Sequence, residues 1–379
     1  MLRCPLPRRL RALALCVVIA AVAVLAHPAS AQVPAERLHR LERGVNFTNW
    51  FRYPARNDDA FLRDYIDDVT LAELHRAGFG FVRLAVQPEL LLDAGGQPDG
   101  NRMAILAAAI ARIERHGLAV MVGWHPQTWD LEDAPAQQRQ LQDLWGALAQ
   151  RLRPLDMGMT FPEVLNEPVF DDHAQAWEDL QRAVLARIRA ALPDATVVLT
   201  GNHWGGVDGL LAARAVADRN VVYSLHTYDP MVFTTLASFD QSLHSDALRR
   251  LPFPVAGARS CDDAAHATSD QRTADVARYY CSENWDAAKL QAMMAKVAEW
   301  SRRNHVAVIA GEFGASDRLP AATRLAWIAA MRRAFEDNGI GWALWGYDDS
   351  MGFNIHANGG TPAPLDPALL RALGMAEHG

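Results

Sequence analysis

The sequence has only one long apolar run, at residues 12–26 (ALALCVVIAAVAVLA). A run of about fifteen residues is too short to span a bilayer comfortably, so a membrane anchor is the less favoured interpretation. Four arginines precede the run, and small residues (ASA, 29–31) follow it. This layout is typical of a secretory signal peptide. We therefore expect residues 1–31 to be a signal cleaved near Ala31, and residues 32–379 to be the mature chain, secreted or periplasmic and without a membrane span.

Cysteine is also scarce, with four residues in a chain of 379. Cys4 and Cys16 belong to the predicted signal, which leaves Cys261 and Cys281. Two cysteines without a nearby histidine pair make a poor zinc site. In an exported chain they favour a disulfide, and closing a loop of about twenty residues contributes on the order of 3 kcal/mol in the chain-entropy model.

The sequence has no excess of positive charge. Its 37 basic and 44 acidic residues give a net charge of −7, which the loss of the four signal arginines would change to −11. An acidic chain is a poor candidate for binding nucleic acid or an anionic membrane. No low-complexity tract or Pro/Ser-rich linker divides the chain, and no Gly-rich phosphate fingerprint follows its first strand pattern. These absences favour a single domain and disfavour an open nucleotide-binding sheet.

Short apolar runs alternate with amphipathic helical patterns along the rest of the chain. Eight runs can be recognised, at residues 43–49, 80–86, 118–124, 161–166, 196–201, 220–226, 306–311 and 339–345. Eight strand–helix repeats predict an α/β fold, a single-domain (β/α)8 TIM barrel. The enlarged connection after strand 6, Pro230 to Trp285, is expected to be an irregular loop with a functional role.

Polar and aromatic residues mark the C-terminal ends of these runs. In a parallel barrel such ends gather at one mouth, where barrel enzymes place their active sites. The residues concerned are Arg83, His125, Asn166, Glu167, Asn202, Trp204, His226, Tyr228, Glu312 and Trp345. We therefore expect them to converge on one cleft.

Two of these residues, Glu167 and Glu312, are carboxylic acids on nearly opposite strands. Glycoside hydrolysis requires such a pair, one protonated to release the leaving oxygen and one ionised to attack the anomeric carbon or activate water. Arg83 and Tyr228 could hold one of them as the anion, because a nearby cation and a phenol donor favour the charged form. This chemistry needs no metal and no organic cofactor.

The full set of motifs resembles glycoside hydrolase family 5, the cellulase family. The resemblance runs from about Gly44 to Trp345, one element per strand, and is carried by Arg83, WHP (124–126), NEP (166–168), HTY (226–228), GEFG (311–314) and WALW (342–345). It implies a retaining β-glycosidase acting on a polysaccharide or oligosaccharide. It also implies a cis peptide bond between Trp345 and Gly346. Gly123 departs from the family pattern, in which many members have an acid before the Trp–His pair.

The resemblance also implies roles for individual residues. Glu167 would be the acid/base and Glu312 the nucleophile, with Arg83 and Tyr228 keeping Glu312 oriented and ionised. Asn166 would bond the sugar 2-hydroxyl. The residues that would line the reacting sugar are His125, His226 and, as its floor, Trp345.

Two further tryptophans are candidate sugar platforms. Trp50 and Trp204 lie on the mouth side of the predicted barrel, and aromatic faces stack well on pyranose rings. Asp348, in the loop after the last strand, is open between a sugar contact and a solvated loop residue.

The substrate is less sharply indicated than the chemistry. The default substrate is β-1,4-glucan, cleaved internally. β-Mannan, β-1,3-glucan and xyloglucan remain alternative substrates, because the contacts that would discriminate among them lie in loops 230–284 and 348–364. Two alternatives belong to other classes. A metal-dependent barrel hydrolase would carry a His-x-His pair where this chain has NFTN (46–49). A non-catalytic carbohydrate-binding barrel would not need both glutamates.

Overall fold

The computed structural model describes residues 32–355 and 364–375, so the predicted signal peptide lies outside the described residues. Eight parallel strands close into a barrel in sequence order. They are β1 (Arg43–Phe51), β2 (Phe81–Val86), β3 (Ala119–Trp124), β4 (Thr160–Glu163), β5 (Val197–Thr200), β6 (Val221–His226), β7 (Ala307–Phe313) and β8 (Gly341–Leu344). The (β/α)8 barrel predicted from the sequence is confirmed.

Helices connect the strands and surround the barrel. Within the described residues they are α1 (Ala35–Arg40), α2 (Asp59–Asp64), α3 (Asp68–Ala77), α4 (Gly100–Arg115), α5 (Pro135–Leu152), α6 (Ala174–Ala191), α7 (Val207–Ala212), α8 (Met231–Thr234), α9 (Ser245–Leu248), α10 (Asp262–His266), α11 (Gln271–Ser282), α12 (Ala287–Asn304), α13 (Ala321–Asp337) and α14 (Pro367–Ala372). Short 3₁₀ helices span Pro88–Leu91 and Ala258–Cys261. None of the helices in this part of the chain has the length and apolar character that a membrane crossing requires.

Aspartate caps define where several helices begin. Asp67, Asp99 and Asp286 each accept a hydrogen bond from a backbone N–H in the first turn of α3, α4 and α12. Such a cap contributes about 1 kcal/mol because it satisfies a donor that has no partner within the helix.

The barrel interior has two layers of different character. The lower layer is apolar and includes Phe81, Met121, Phe161, Val198, Val222 and Ile309. Side chains that share a strand face recur every second residue, so the next interior position on β2, β3, β4 and β7 is Arg83, Gly123, Glu163 and Gly311. The apolar layer therefore supports a polar layer directly beneath the barrel mouth.

Two expectations about local structure need correction. The fourth strand ends at Glu163 rather than at residue 166, although Asn166 N still donates to Trp124 O (2.9 Å) and keeps the chain beside β3. The connection after β6 is not irregular, because it contains α8 to α11. Helices α8, α9 and α10 span only four or five residues, which is too few for a helical period to show in the sequence. Helix α11 spans twelve residues and buries Ala274, Ala277 and Cys281 on one face, so its helical period was present in the sequence.

The predicted disulfide between Cys261 and Cys281 is present, and both residues are fully buried. It joins the start of α10 to the end of α11. Replacing both cysteines by alanine is expected to lower the free energy of unfolding by about 3 kcal/mol, because a loop of this length is no longer closed in the unfolded chain. Urea unfolding under oxidising conditions measures this loss. An unchanged midpoint and slope would show that the crosslink does not stabilise the fold.

Candidate active site

The two glutamates meet at the barrel mouth. Glu312 lies on β7 and is almost buried, whereas the Glu167 side chain, in the turn after β4, is 26% exposed. A carboxylate oxygen of each and a ring nitrogen of His226 all lie within 4.8 Å of one another. Inverting glycosidases separate their carboxyl groups by about 6.5–9.5 Å to admit a water, and retaining enzymes by about 5–5.5 Å. One oxygen of each acid therefore lies closer to the other acid than the separation of an inverting pair.

Glu312 is held from two sides. Arg83 Nη1 donates to its Oε1 (2.6 Å), and the Tyr228 hydroxyl donates to its Oε2 (2.8 Å). Burial alone would raise the pKa of Glu312, but the His226 ring and the Arg83 and Arg52 guanidinium groups outweigh burial and hold that pKa below its usual value. Burial and the Glu312 charge raise the pKa of Tyr228 well above its usual value, so its phenol stays a donor.

Glu167 has a different environment. His226 Nδ1 lies 2.9 Å from Glu167 Oε1 and 3.5 Å from Glu312 Oε1, so one imidazole contacts both acids. The backbone N–H of His226 donates to Gly205 O (2.9 Å), and Thr227 N donates to Glu312 O (3.1 Å). These backbone bonds fix the position of the imidazole between the two carboxylates.

Arg83 organises the floor of the pocket. It is fully buried and donates five hydrogen bonds, to Glu312, Asn46, Asn166 and, through two of its nitrogens, Glu163. Burial works against its charge, but Glu163 and then Glu312 more than compensate and raise the pKa of Arg83 above its usual value. Asn166 Oδ1 accepts from Arg83 (2.9 Å), which leaves the Asn166 Nδ2 group as the donor available to a ligand.

Trp345 directly follows β8, and its predicted cis peptide bond to Gly346 is present. His125 stacks against its indole ring at 6.1 Å between centroids and an interplanar angle of 20°. Burial, with the nearby charge of Arg83, holds the pKa of His125 well below its usual value, so its ring is neutral. His125 is only 1% exposed, and its contact with sugar hydroxyls stays a prediction.

Comparison with known proteins identifies the family of the chain. The family model described as Cellulase (glycosyl hydrolase family 5) matches residues 41–350. The chain belongs to glycosyl hydrolase family 5. The family predicted from the motifs is confirmed, and residues 41–350 are a glycosyl hydrolase family 5 domain.

Individual relatives of the family 5 domain are distant. Endoglucanase 3 of Fibrobacter succinogenes is 26% identical over 354 residues, covering 87% of this chain and 52% of the relative, so the chain spans about half the length of that protein. Cellodextrinase A of Ruminococcus flavefaciens is 19% identical over 309 residues, or 79% of this chain and 83% of the relative. The Thermotoga maritima Cel5A structure with cellobiose superposes with a TM-score of 0.71 at 22% identity, covering 89% and 99% of the two chains. At this identity the structural likeness shows the fold alone.

The two predicted tryptophan platforms differ in this family 5 barrel. Trp204 is 64% exposed, and its backbone N–H donates to Pro168 O (3.1 Å), directly after Glu167. Its role as a platform stays a prediction. Trp50 does not qualify, because it is fully buried, stacks on Tyr65 and donates its indole N–H to Leu62 O (2.7 Å). Trp50 lies on the helix side of β1, a distinction that its position near a strand end does not reveal.

Asp348 is neither a sugar contact nor a solvated loop residue. It is fully buried, and its carboxylate accepts from Thr48 N and Oγ1, Asn49 N and the Tyr65 hydroxyl. It therefore ties the loop after β8 to the end of β1 and stabilises the side of the mouth that carries Trp345.

Arg52 and Glu163 are site residues that the sequence did not indicate. The Arg52 guanidinium carbon lies 5.1 Å from the Trp345 ring centroid and 4.6 Å from the Tyr53 ring centroid. Glu163 pairs with Arg83 at the bottom of the pocket. The available signal was a glutamate inside the apolar run 161–166, since charged residues are rarely fully buried unless paired.

We expect Arg52 to affect the pH at which kcat/KM falls on the acid side of the pH profile. It helps to hold the pKa of Glu312 below its usual value, and a depressed carboxyl pKa keeps the anion present as the pH falls. Replacing Arg52 by alanine should therefore move the acid limb of kcat/KM to higher pH, whereas Arg52→Lys, which keeps the positive charge, should move it less. The pH profile of kcat/KM measures both. Identical acid limbs in the alanine and lysine variants would contradict this role.

Glu167, His226 and Glu312 are also the residues that could hold a metal ion, since three donor atoms lie within 4.8 Å of one another. Their surroundings fit a cation poorly, because Arg83 and Tyr228 already donate to both oxygens of Glu312. A divalent ion would lie beside the Arg83 guanidinium, and like charges repel strongly in a buried site.

Proposed function

We propose that the chain is an exported, retaining endo-β-1,4-glucanase in which Glu312 is the nucleophile and Glu167 the acid/base. The observation that carries the proposal is the pair of glutamates within 4.8 Å. One of them, Glu312, is bonded by Arg83 and Tyr228 and kept ionised, and the other contacts His226. Two carboxylates in different environments are what separates a nucleophile from a general acid.

In the first step, a Glu312 oxygen attacks the anomeric carbon of a β-glycoside. The bond from that carbon to the leaving oxygen breaks, and the leaving oxygen takes the proton of Glu167. The products are a shortened chain bearing a free hydroxyl and a glycosyl ester of α configuration on Glu312. Tyr228 and Arg83 hold the attacking carboxylate in place, which limits the entropy lost at the transition state.

In the second step, Glu167 acts as a base. It takes a proton from water while the water oxygen attacks the same carbon, and the bond to Glu312 breaks. Glu312 leaves as a carboxylate, Glu167 is again protonated, and the sugar is released with β configuration. The Asn166 Nδ2 group would donate to the 2-hydroxyl, a bond that strengthens as charge develops at the transition state.

Exposed aromatic rings support internal cleavage. Trp204 follows β5 and Tyr53 follows β1, and in a closed barrel of eight strands in sequence order these strands face each other across the mouth. Trp204 is 64% and Tyr53 49% exposed. Rings on both sides of the glutamates could bind sugars on both sides of the cleaved bond, as an endo-acting enzyme requires.

The substrate preference is tested with a panel of polysaccharides. Release of reducing ends should be fastest from carboxymethylcellulose or barley glucan, and slower from mannan, laminarin and xyloglucan. β-Mannan is the second candidate, because Thermotoga maritima Cel5A has also been crystallised with mannotriose. Glu312→Gln protein, prepared in parallel, excludes a contaminating hydrolase. Failure to release reducing ends from every glycan would favour a carbohydrate-binding barrel instead.

The metal-dependent alternative has a separate test. Because the arginine beside Glu312 disfavours a cation, dialysis against a chelator is expected to leave the rate of hydrolysis unchanged. Loss of activity that returns on adding a divalent metal would overturn the glutamate mechanism.

Export is tested on the mature protein itself. Expression in a host that processes secretory signals should give a chain that begins at Gln32, measured by intact mass and N-terminal sequencing. A mature chain that retains residues 1–31 would contradict the predicted signal peptide.

A further inference from the structure

Glu163 forms a bidentate ion pair with Arg83 in the pocket floor. It lies on β4, is fully buried, and binds Arg83 through both oxygens, Nε to Oε2 at 2.9 Å and Nη2 to Oε1 at 3.0 Å. The other Arg83 bonds go to Asn46, Glu312 and Asn166. A guanidinium has five N–H groups, and here each has an acceptor. The fork held by Glu163 therefore sets the plane in which Arg83 meets Glu312.

The neighbouring strand leaves room for this carboxylate. Gly123 on β3 is the register partner of Glu163. A Cβ at Gly123 would lie 2.1 Å from Glu163 Oε2 and 3.0 Å from its Cδ. Any side chain at position 123 would therefore occupy the space that the Glu163 carboxylate now fills. Gly123 and Glu163 together place one carboxylate against Nε and Nη2 of Arg83.

We propose that Glu163 is a positioning residue for the reaction, which orients Arg83 and shares its charge with Glu312, and that Gly123 is its obligatory partner. The inference rests on the proposed function. It further implies that strand β3 could supply the same carboxylate. The oxygens of an aspartate lie two bonds from its Cβ, a separation comparable to the 2.1 Å between the Gly123 Cβ position and Glu163 Oε2.

The charges of Arg83, Glu163 and Glu312 explain why Glu163 affects the nucleophile Glu312. Arg83 is one cation between two buried carboxylates, Glu163 and Glu312. Removing the Glu163 charge removes its repulsion of the Glu312 carboxylate. It also leaves Glu312 as the only one of these two carboxylates to interact with the Arg83 cation. The Glu312 anion is then more stable and less nucleophilic, and the pKa of Glu312 falls further. A purely structural role would not change the titration of Glu312.

The test is a carboxylate exchange between the two strands. Glu163→Ala should lower kcat on β-glucan by about 10²-fold, since Arg83 loses the group that holds it and a displacement of 1 Å can cost this much. Gly123→Asp alone should also be impaired, because two carboxylates then compete for one space. The double variant, Gly123→Asp with Glu163→Ala, should recover most of the lost kcat and thermal stability. A folded double variant no more active than Glu163→Ala would overturn the proposal.

Glu163→Gln keeps the inference testable if the exchange variants fail to fold. It retains the shape of the side chain, and should lower kcat and move the acid limb of kcat/KM to lower pH. A wild-type kcat and acid limb in this variant would overturn the positioning role.

Failure of the proposed function can be distinguished from failure of the inference about Glu163. If the wild-type protein released no reducing ends from any glycan, the function would fall. The pairing of Gly123 with Glu163 would still be tested by thermal unfolding of the wild type, Glu163→Ala, Gly123→Asp and the double variant. Recovery of stability in the double variant would support it, and additive losses would contradict it.

Discussion

Replacing Glu312 by glutamine is expected to reduce kcat on β-glucan by about 10⁴-fold or more, the order seen when a nucleophile acting as part of a catalytic unit is lost. The amide is nearly isosteric with the carboxylate and can still accept a bond from Tyr228 or Arg83. What it lacks is the charge that attacks the anomeric carbon. Because attack precedes every later step, the loss should be similar for polysaccharides and for activated aryl glycosides. Initial rates at saturating substrate measure it.

A matched control separates chemistry from stability. Glu299 is an exposed glutamate on α12, and Glu299→Gln should keep wild-type kcat. Both variants should unfold at temperatures close to wild type. A Glu312→Gln protein that is folded and retains a tenth of wild-type activity would show that another residue is the nucleophile.

Replacing Glu167 by glutamine is expected to lower hydrolysis of β-glucan by about 10²–10⁴-fold, the range for a positioned general acid. The loss of activity in Glu167→Gln should depend on the substrate, whereas the loss in Glu312→Gln should not. A dinitrophenyl leaving group needs no proton, so the first step should stay fast and the glycosyl ester should accumulate. A burst of dinitrophenol followed by a slow steady state is the expected trace. Equal losses on both substrates, without a burst, would contradict the acid/base assignment.

Added azide provides an independent check on this variant. It attacks the ester without a general base, so azide should accelerate turnover of the aryl glycoside by Glu167→Gln and give a glycosyl azide of β configuration. The Glu312 variant should not respond in this way. A product of α configuration from the Glu167 variant would contradict the double displacement.

Much of this site could be predicted from the sequence because a parallel barrel converts chain order into geometry. Once eight apolar runs indicate eight strands, the residues at their C-terminal ends must share one mouth. Glu167, His226 and Glu312 are far apart in the chain, yet their ligand atoms lie within 4.8 Å. The alternation of runs and helices was therefore sufficient to bring them together.

The remaining features depend on which face of a strand or loop a side chain takes. Trp50 and Arg52 lie two residues apart, but the first packs beneath α2 and the second reaches Trp345. Asp348 is buried by bonds to the end of β1, a contact across 300 residues that no local pattern encodes. Glu163 is a single charged residue within an apolar run, and its role becomes clear only beside Gly123 and Arg83.

The most direct measurement is the mass of the enzyme trapped during turnover. A 2-deoxy-2-fluoro-β-glucoside or cellobioside with a good leaving group slows release of the glycosyl ester, so incubation should add one fluorosugar per chain. Peptide mapping should place it on Glu312, and the adduct should disappear when a sugar acceptor is added. An unmodified enzyme that still hydrolyses β-glucan, or a sugar attached to a different residue, would contradict the two-glutamate mechanism.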